Sequence, residues 1–424
     1  MGILQELVQD IPLPKMAKVK QTFSSEQIDD LSTALYKELD REDVKASVKP
    51  GMEIAVAVGS RGLDRLPELT AVTVKFLQDL GAKPFIVPCM GSHGGATAPG
   101  QKDVLKHLGV TEESVHAEIR SSMEVIKIGE LENGLPVYID KIASEADGIV
   151  VINRIKPHTA FRGPVESGIM KMISIGLGKQ KGAEACHQLG FKHMAEYVPA
   201  MAKVALKKMP ILFGVATVEN AYDKIAKVQV LTNDEIDNME KETALQELSK
   251  KMLPKLFFDQ IDVLIIDQIG KNISGDGMDP NITGRYPTPY AYGGPEVTKM
   301  AVLDLTDETE GNANGVGTAD FTTQRLVDKM DREATYANGL TSTVVGPTHI
   351  STAMPNDKMA IQAAIKTCNI LDFHQVKMVR IKNTLQISEI AVSEALLEHV
   401  KEHANMQQAS ELYELAFDKD DNLY

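Results

Sequence analysis

The chain of 424 residues has no tryptophan, and aromatic residues make up only 5% of it. Stacking platforms for single-stranded nucleic acid need such rings, so that class of function is excluded. Cysteine is scarce: Cys89, Cys186 and Cys368 are too few for a disulfide framework. Long apolar runs are lacking as well. The best of them, 148–152 and 263–266, fall far short of the roughly 20 residues of a membrane span. Glu6 and Asp10 interrupt the N-terminal apolar residues, which excludes a signal-peptide layout. Positive charge is in deficit, with 45 Lys and Arg against 59 Asp and Glu and a formal net charge of −14. That balance argues against nonspecific nucleic-acid binding and against docking on anionic membranes. The expectation is a cytoplasmic protein with no nucleic-acid and no membrane partner.

What is present is ordinary globular material, 43% hydrophobic and 25% charged. The length fits two or three domains. Ser24-x-x-Gln27 reads as a capping box, followed by Ile28, Leu31, Leu35 and Leu39 at helical spacing. Apolar segments at 53–58, 83–88, 146–155 and 211–218 read as strands. Amphipathic segments at 69–80, 101–108 and 191–209 read as helices. This alternation predicts an α/β fold with a mainly parallel sheet. The charged helical stretch 233–251 is expected to bridge two domains. A second α/β unit is expected to start with the strand at 263–266. Helices around 323–331, 358–368 and 393–403 and a strand at 377–381 would continue it. The expected organisation is two α/β domains, residues 1–260 and 261–424, with mainly parallel sheets and an interdomain cleft. The final segment would pack back on the first domain.

Ligands of such sheets bind beyond the carboxyl ends of the strands. Three histidines stand in Gly-rich or loop settings of that kind. They are His93 in Gly91-Ser-His-Gly-Gly95, His158 in Lys156-Pro-His158 and His187 in Cys186-His-Gln-Leu-Gly190. Pro157 restricts its predecessor to extended backbone, so His158 begins a loop. Lys171, in Glu166-Ser-Gly-Ile-Met-Lys171, follows His158 by thirteen residues. Taken alone it reads as a helix lysine that reaches solvent, although an apolar setting could make it a nucleophile or attachment point. Gly176-Leu-Gly-Lys-Gln-Lys-Gly182 has the look of a weak phosphate loop with Lys179 and Lys181, but matches neither nucleotide fingerprint. Cys186, His187 and His193 lack the paired spacing of structural zinc. Asp276, Asp279 and Asn281 read as a tight turn rather than a cation loop.

Taken in order, Val58-Gly-Ser-Arg61, Gly91-Ser-His93, Lys156-Pro-His158, Ser167-Gly-Ile-Met-Lys171 and His187 before Leu189-Gly190 resemble the nickel-dependent lactate racemase family. The resemblance covers residues 50–190, and the later chain only loosely. It implies a racemase or epimerase that inverts C2 of a 2-hydroxy acid by reversible hydride transfer to a lysine-tethered nickel-pincer nucleotide. It implies that Lys171 attaches this cofactor, in a segment with Ser167 and Gly168. His187 would complete nickel coordination, His93 and His158 would be the paired acid/base groups, and Arg61 would sit near the substrate. The implied partners are a small 2-hydroxy acid and the proteins that make the cofactor. Residue chemistry agrees: imidazole titrates near neutral pH, and guanidinium suits a carboxylate. Two departures point away from lactate itself. Val58, Gly59 and Ser60 stand where lactate-specific members carry an acidic residue, and the interval from His158 to Lys171 is longer. A metal- or base-assisted lyase or hydrolase on the same scaffold, or a non-catalytic nucleotide-binding protein, are the alternatives.

Overall fold

The computed structural model describes residues 2–60 and 62–424. The fold is α/β with mostly parallel sheets, divided into two compact units. One holds residues 24–253, and the other holds 1–23 together with 254–424. Among the described residues no helix is long and apolar enough to cross a membrane.

In the 24–253 unit a five-stranded sheet runs in the order Lys83–Pro88, Glu53–Val58, Gly148–Arg154, Ile211–Glu219, Ile225–Thr232. The first four strands are parallel, and the last turns back antiparallel. Glu53–Val58 is buried at every position after Glu53. Its unbroken Ile-Ala-Val-Ala-Val run is what a strand covered on both faces requires. Ile54, Val56 and Val58 pack with Val150, Ile152, Phe213 and Val215 of the neighbouring strands, and with Leu35, Leu69, Phe76 and Leu77 of the covering helices. The first of those helices, Leu31–Leu39, is capped by Asp30, whose side chain accepts the Thr33 N–H. The expected capping box at Ser24 is therefore displaced: Ile28 is instead tied by its N–H to Ile225 O. An antiparallel hairpin, Val125–Glu130 with Pro136–Asp140, is an addition that no strand expectation covered.

The second unit carries an eight-stranded sheet. Five strands are parallel, in the order Thr352–Met354, Phe321–Thr323, Glu296–Leu305, Gln260–Ile269, Met378–Ile381. Antiparallel strands Glu389–Ser393, Met16–Gln21 and Met406–Gln408 complete it. Residues 1–23 thus join the later chain, where a boundary at 260 had grouped them with the first unit. The reason is long-range pairing: Met16 lies opposite Ser393 and Val19 opposite Ile390. Local patterning reports that Met16, Ala17 and Val19 want burial, but not against what. Residues 393–403, expected as one helix, are the end of a strand, a short turn and the helix Leu397–Glu402.

Val19 is fully buried in the core of this second unit. Val19→Asp is expected to destabilise that unit by about 3 kcal/mol or more, because an unpaired carboxylate would sit in apolar packing. Hydrogen exchange should show faster exchange at 378–393 while 53–58 keep their protection.

Candidate active site

The loops that follow Glu53–Val58, Lys83–Pro88 and Gly148–Arg154 leave one edge of the first sheet, the edge at which parallel strands end. They carry Ser60, His93 and His158. Parallel strands consume their own backbone groups in the ladder, so polar chemistry gathers in these loops.

The His93 loop turns tightly. Gly91, Gly94 and Gly95 have φ of 57°, 68° and 63°. A Cβ on Gly94 would come within 2.6 Å of the Gly100 and Gln101 backbone. The loop is fixed from below by a polar network. Gln101, fully buried, donates from Nε2 to Gly91 O at 2.9 Å and to His93 O at 3.2 Å. Its Oε1 accepts from the Lys179 ammonium at 3.0 Å. That ammonium also donates to Pro88 O and lies 3.0 Å from Asp140 Oδ2. Lys179 is wholly buried and sits in the left-handed region at φ 53°. The suggested phosphate loop is corrected here. Met172–Gly176 is a π-helical turn and Lys179–His187 a helix, and the Lys179 charge is spent inside the protein. His93 itself is exposed and shares a hydrogen bond between Nδ1 and Ser60 Oγ.

The second group is formed by His158, Lys171 and His187. His158 N donates to Glu166 Oε2 at 2.8 Å, and His158 Nδ1 accepts the Ala160 N–H at 3.0 Å. The ring hydrogen therefore belongs on Nε2. Phe161 and Phe191 lie beside the ring, with centroids 4.5 and 6.1 Å away. Burial holds the imidazole well below the usual histidine range, helped by Lys171, then His187, Lys156 and Arg162. His158 is accordingly neutral at pH 7. His187 closes the helix Lys179–His187, with Nδ1 2.7 Å from Ala183 O. That bond consumes the Nδ1 hydrogen and leaves the lone pair on Nε2, the arrangement of a metal-binding imidazole. Burial lowers its pKa; the bond to Ala183 opposes this and Lys171 adds to it. Phe191 contacts His187 edge-on at 5.4 Å, so one ring lies against both histidines.

Lys171 ends the three-residue helix Ile169–Lys171. Ser167 and Gly168 precede it: Ser167 O accepts the Lys156 N–H at 2.9 Å, and Gly168 O accepts from Asn153 Nδ2, also at 2.9 Å. The structure thus gathers His158, Lys171 and His187 into one electrostatic group and links His93 to Ser60. The His93 loop runs beside the helix that ends in His187: a Cβ on Gly91 would stand 3.7 Å from Ala183 Cβ and from Ile175 Cγ2. Arg61 lies outside the described residues. His193 pairs with Glu196 and Tyr197 instead of joining the site. Burial pushes the Cys186 thiol up to about 12, and its Sγ lies against Met194. Among the described residues no three His, Cys, Asp or Glu side chains converge on a metal position.

The sequence pattern gives no role to Glu166, Gln101 or Asp140, and casts Lys179 only as a weak phosphate ligand. Glu166 stood in a quoted motif, but only its burial to 1% exposure marks it. In the other unit, Asp279 accepts the Asn281 N–H at 2.9 Å and caps Pro280–Thr283, which is the tight turn expected there.

Residues 7–197 match the model of the lactate racemase N-terminal domain. This stretch belongs to the lactate racemase family. The lactate racemase match takes in Ser60, His93, His158, Lys171 and His187 together. The solved lactate racemase apoprotein of Thermoanaerobacterium thermosaccharolyticum is similar in fold, with a TM-score of 0.54 at 15% identity. The similarity covers 88% of this chain and 99% of that one. No curated protein sequence matches.

Two outcomes follow. Lys179→Met should cost about 3–5 kcal/mol in denaturant unfolding by stranding the buried Asp140 carboxylate, and adding Asp140→Asn should recover part of it. His158 and His187 have depressed pKa values, so their contribution to stability is present above about pH 6.5 and is lost as pH falls below it. Urea midpoints between pH 7.5 and 5 should fall less steeply in His158→Gln than in the parent.

Proposed function

We propose that the protein is a racemase or epimerase of a 2-hydroxy acid that works with a lysine-tethered nickel-pincer nucleotide. The observation that carries this reading is the joint setting of His158, Lys171 and His187. One neutral imidazole has its lone pair on Nε2, one amine lies in its electrostatic reach, and a second neutral imidazole is beside both. One imidazole and one amine suit a metal-bearing group that brings its other donors itself. Lys171 would hold it covalently, Ser167 and Gly168 would flank the attachment, and His187 Nε2 would ligate nickel. When bound, such a group supplies a hydride acceptor, which spares a poorly acidic C–H bond from leaving a carbanion.

The chain's own residues manage the proton and the orientation. With Ser60 accepting the Nδ1 hydrogen of His93, His93 Nε2 is basic and takes the hydroxyl proton of the substrate. His158 offers Nε2–H to the same oxygen as it becomes a ketone. Burial, then Lys171, His187, Lys156 and Arg162, keep the His158 ring neutral. A flat 2-keto acid can be restored from either face, with His93 as the base and His158 as the hydrogen-bond donor at the substrate oxygen. Arg61 would hold the substrate carboxylate. Loading requires proteins that synthesise the nucleotide, and the reduced, buried thiols suit a cytoplasmic location.

The test is production together with cofactor-making enzymes, followed by intact mass, nickel content and a chiral screen of 2-hydroxy acids that includes sugar acids. The expected result is added mass and bound nickel, with Lys171→Ala losing both and His187→Ala losing nickel. His93→Ala and His158→Ala should each lower kcat by about 10²–10⁴. Turnover by protein with unmodified Lys171 would overturn the mechanism.

A further inference from the structure

The helix Glu240–Met252 turns polar residues inward. Glu242 and Gln246 are 1% and 0% exposed. With Lys250 they are spaced by four residues, so the three form one stripe along the helix. Glutamate is almost never fully buried unless it is paired, and every member of this stripe is engaged with the segment that carries His158 and Lys171. Glu242 Oε1 and Oε2 accept the Met170 N–H at 3.2 and 3.4 Å, at the start of the short helix that ends in Lys171. Gln246 Oε1 accepts the Glu166 N–H at 3.2 Å. Lys250 Nζ lies 3.1 Å from Glu166 Oε1. Glu166 Oε2 in turn receives the His158 N–H and, at 3.2 Å, Arg162 Nη1. The fit is close: a Cβ on Gly168 would stand 2.3 Å from Glu242 Oε1.

We propose that Glu242, Gln246 and Lys250 are positioning residues that set His158 and Lys171 relative to each other from a single helix face. The proposal rests on the function given above for its catalytic consequence, but its geometric part does not. The helix Ile169–Lys171 runs on into the π-helical turn Met172–Gly176, and a helical segment this short does not hold itself, because helices under roughly 12 residues are marginal without outside packing. The loop 157–166 has no helix or strand of its own and is closed only at its base by the Lys156–Ser167 bridge. Both segments therefore take their positions from outside. A rigid helix with contacts one turn apart fixes two segments with one body, and rigid support of this kind is what keeps reacting groups in productive geometry. Burial raises the Glu242 carboxyl to about 7, opposed by the Met170 and Ile169 N–H groups. Its anionic form is held against that penalty by amides that a displaced helix could not supply.

The test uses the full chain and the variants Lys250→Met, Lys250→Arg and Glu242→Gln. Hydrogen exchange read by peptide mass should accelerate about ten-fold at 157–171 in Lys250→Met and Glu242→Gln, with 53–58 unchanged. Lys250→Arg should restore parent rates. In cofactor-loaded protein, kcat should drop about ten-fold or more in Lys250→Met with KM little changed, because groups are misaligned and binding is not lost. Acceleration at 157–171 in protein that turns over no hydroxy acid would support the positioning role and count against the racemase reading. Unchanged exchange at 157–171 in both variants, or acceleration spread evenly over the 24–253 unit, would overturn the proposal.

Discussion

A carboxylate taken out of water must be repaid in hydrogen bonds and opposite charge, and Glu166 shows how far that demand reaches. Its two oxygens take up the His158 N–H, Arg162 and Lys250. Leaving any of these unmet would strand a buried charge at a cost of several kcal/mol. The loop between the Gly148–Arg154 strand and Lys171 can therefore adopt few shapes other than the one that wraps this group. The position of His158 follows, and so do the surroundings that keep its ring neutral. The chemistry at the edge of the sheet is a consequence of satisfying one acid.

The Lys179 network is the counterpart beneath His93. An ammonium with three donors finds a carbonyl, an amide oxygen and a carboxylate, and Gln101 passes the constraint to the Gly91 and His93 carbonyls. The two histidine loops are thus anchored by different buried ions, one negative and one positive. The parallel strands supply the frame: their side chains are committed to the core on both faces, so loops at their ends are where variation in chemistry costs the fold least.

Much of the frame was legible in the chain. The strands at 53–58, 83–88 and 211–218 announce themselves because a doubly covered strand must be apolar throughout, and Ile54 to Val58 is. The loop histidines were legible because Gly91, Gly94 and Gly95 allow backbone that other residues resist. Less visible were partnerships between distant residues. Met16–Gln21 looked like part of the first unit, yet it finds its partners some 370 residues on, in Glu389–Ser393. Lys179 looked like a solvent-facing phosphate ligand because a sequence shows charge but not burial. The stretch 233–251 looked like a charged bridge between domains, although Glu242 and Gln246 within it are turned inward.

The sequence by itself determined the fold class and the loops on which His93 and His158 would stand. Both depend on local rules: the period of apolar residues and the backbone freedom of glycine. Only the tertiary structure decided which strand residues 16–21 would join, which lysine would be buried, and that Glu166 and the 242, 246, 250 stripe would hold the site. Those outcomes depend on matching each buried polar group to a partner that the chain brings near only once it is folded.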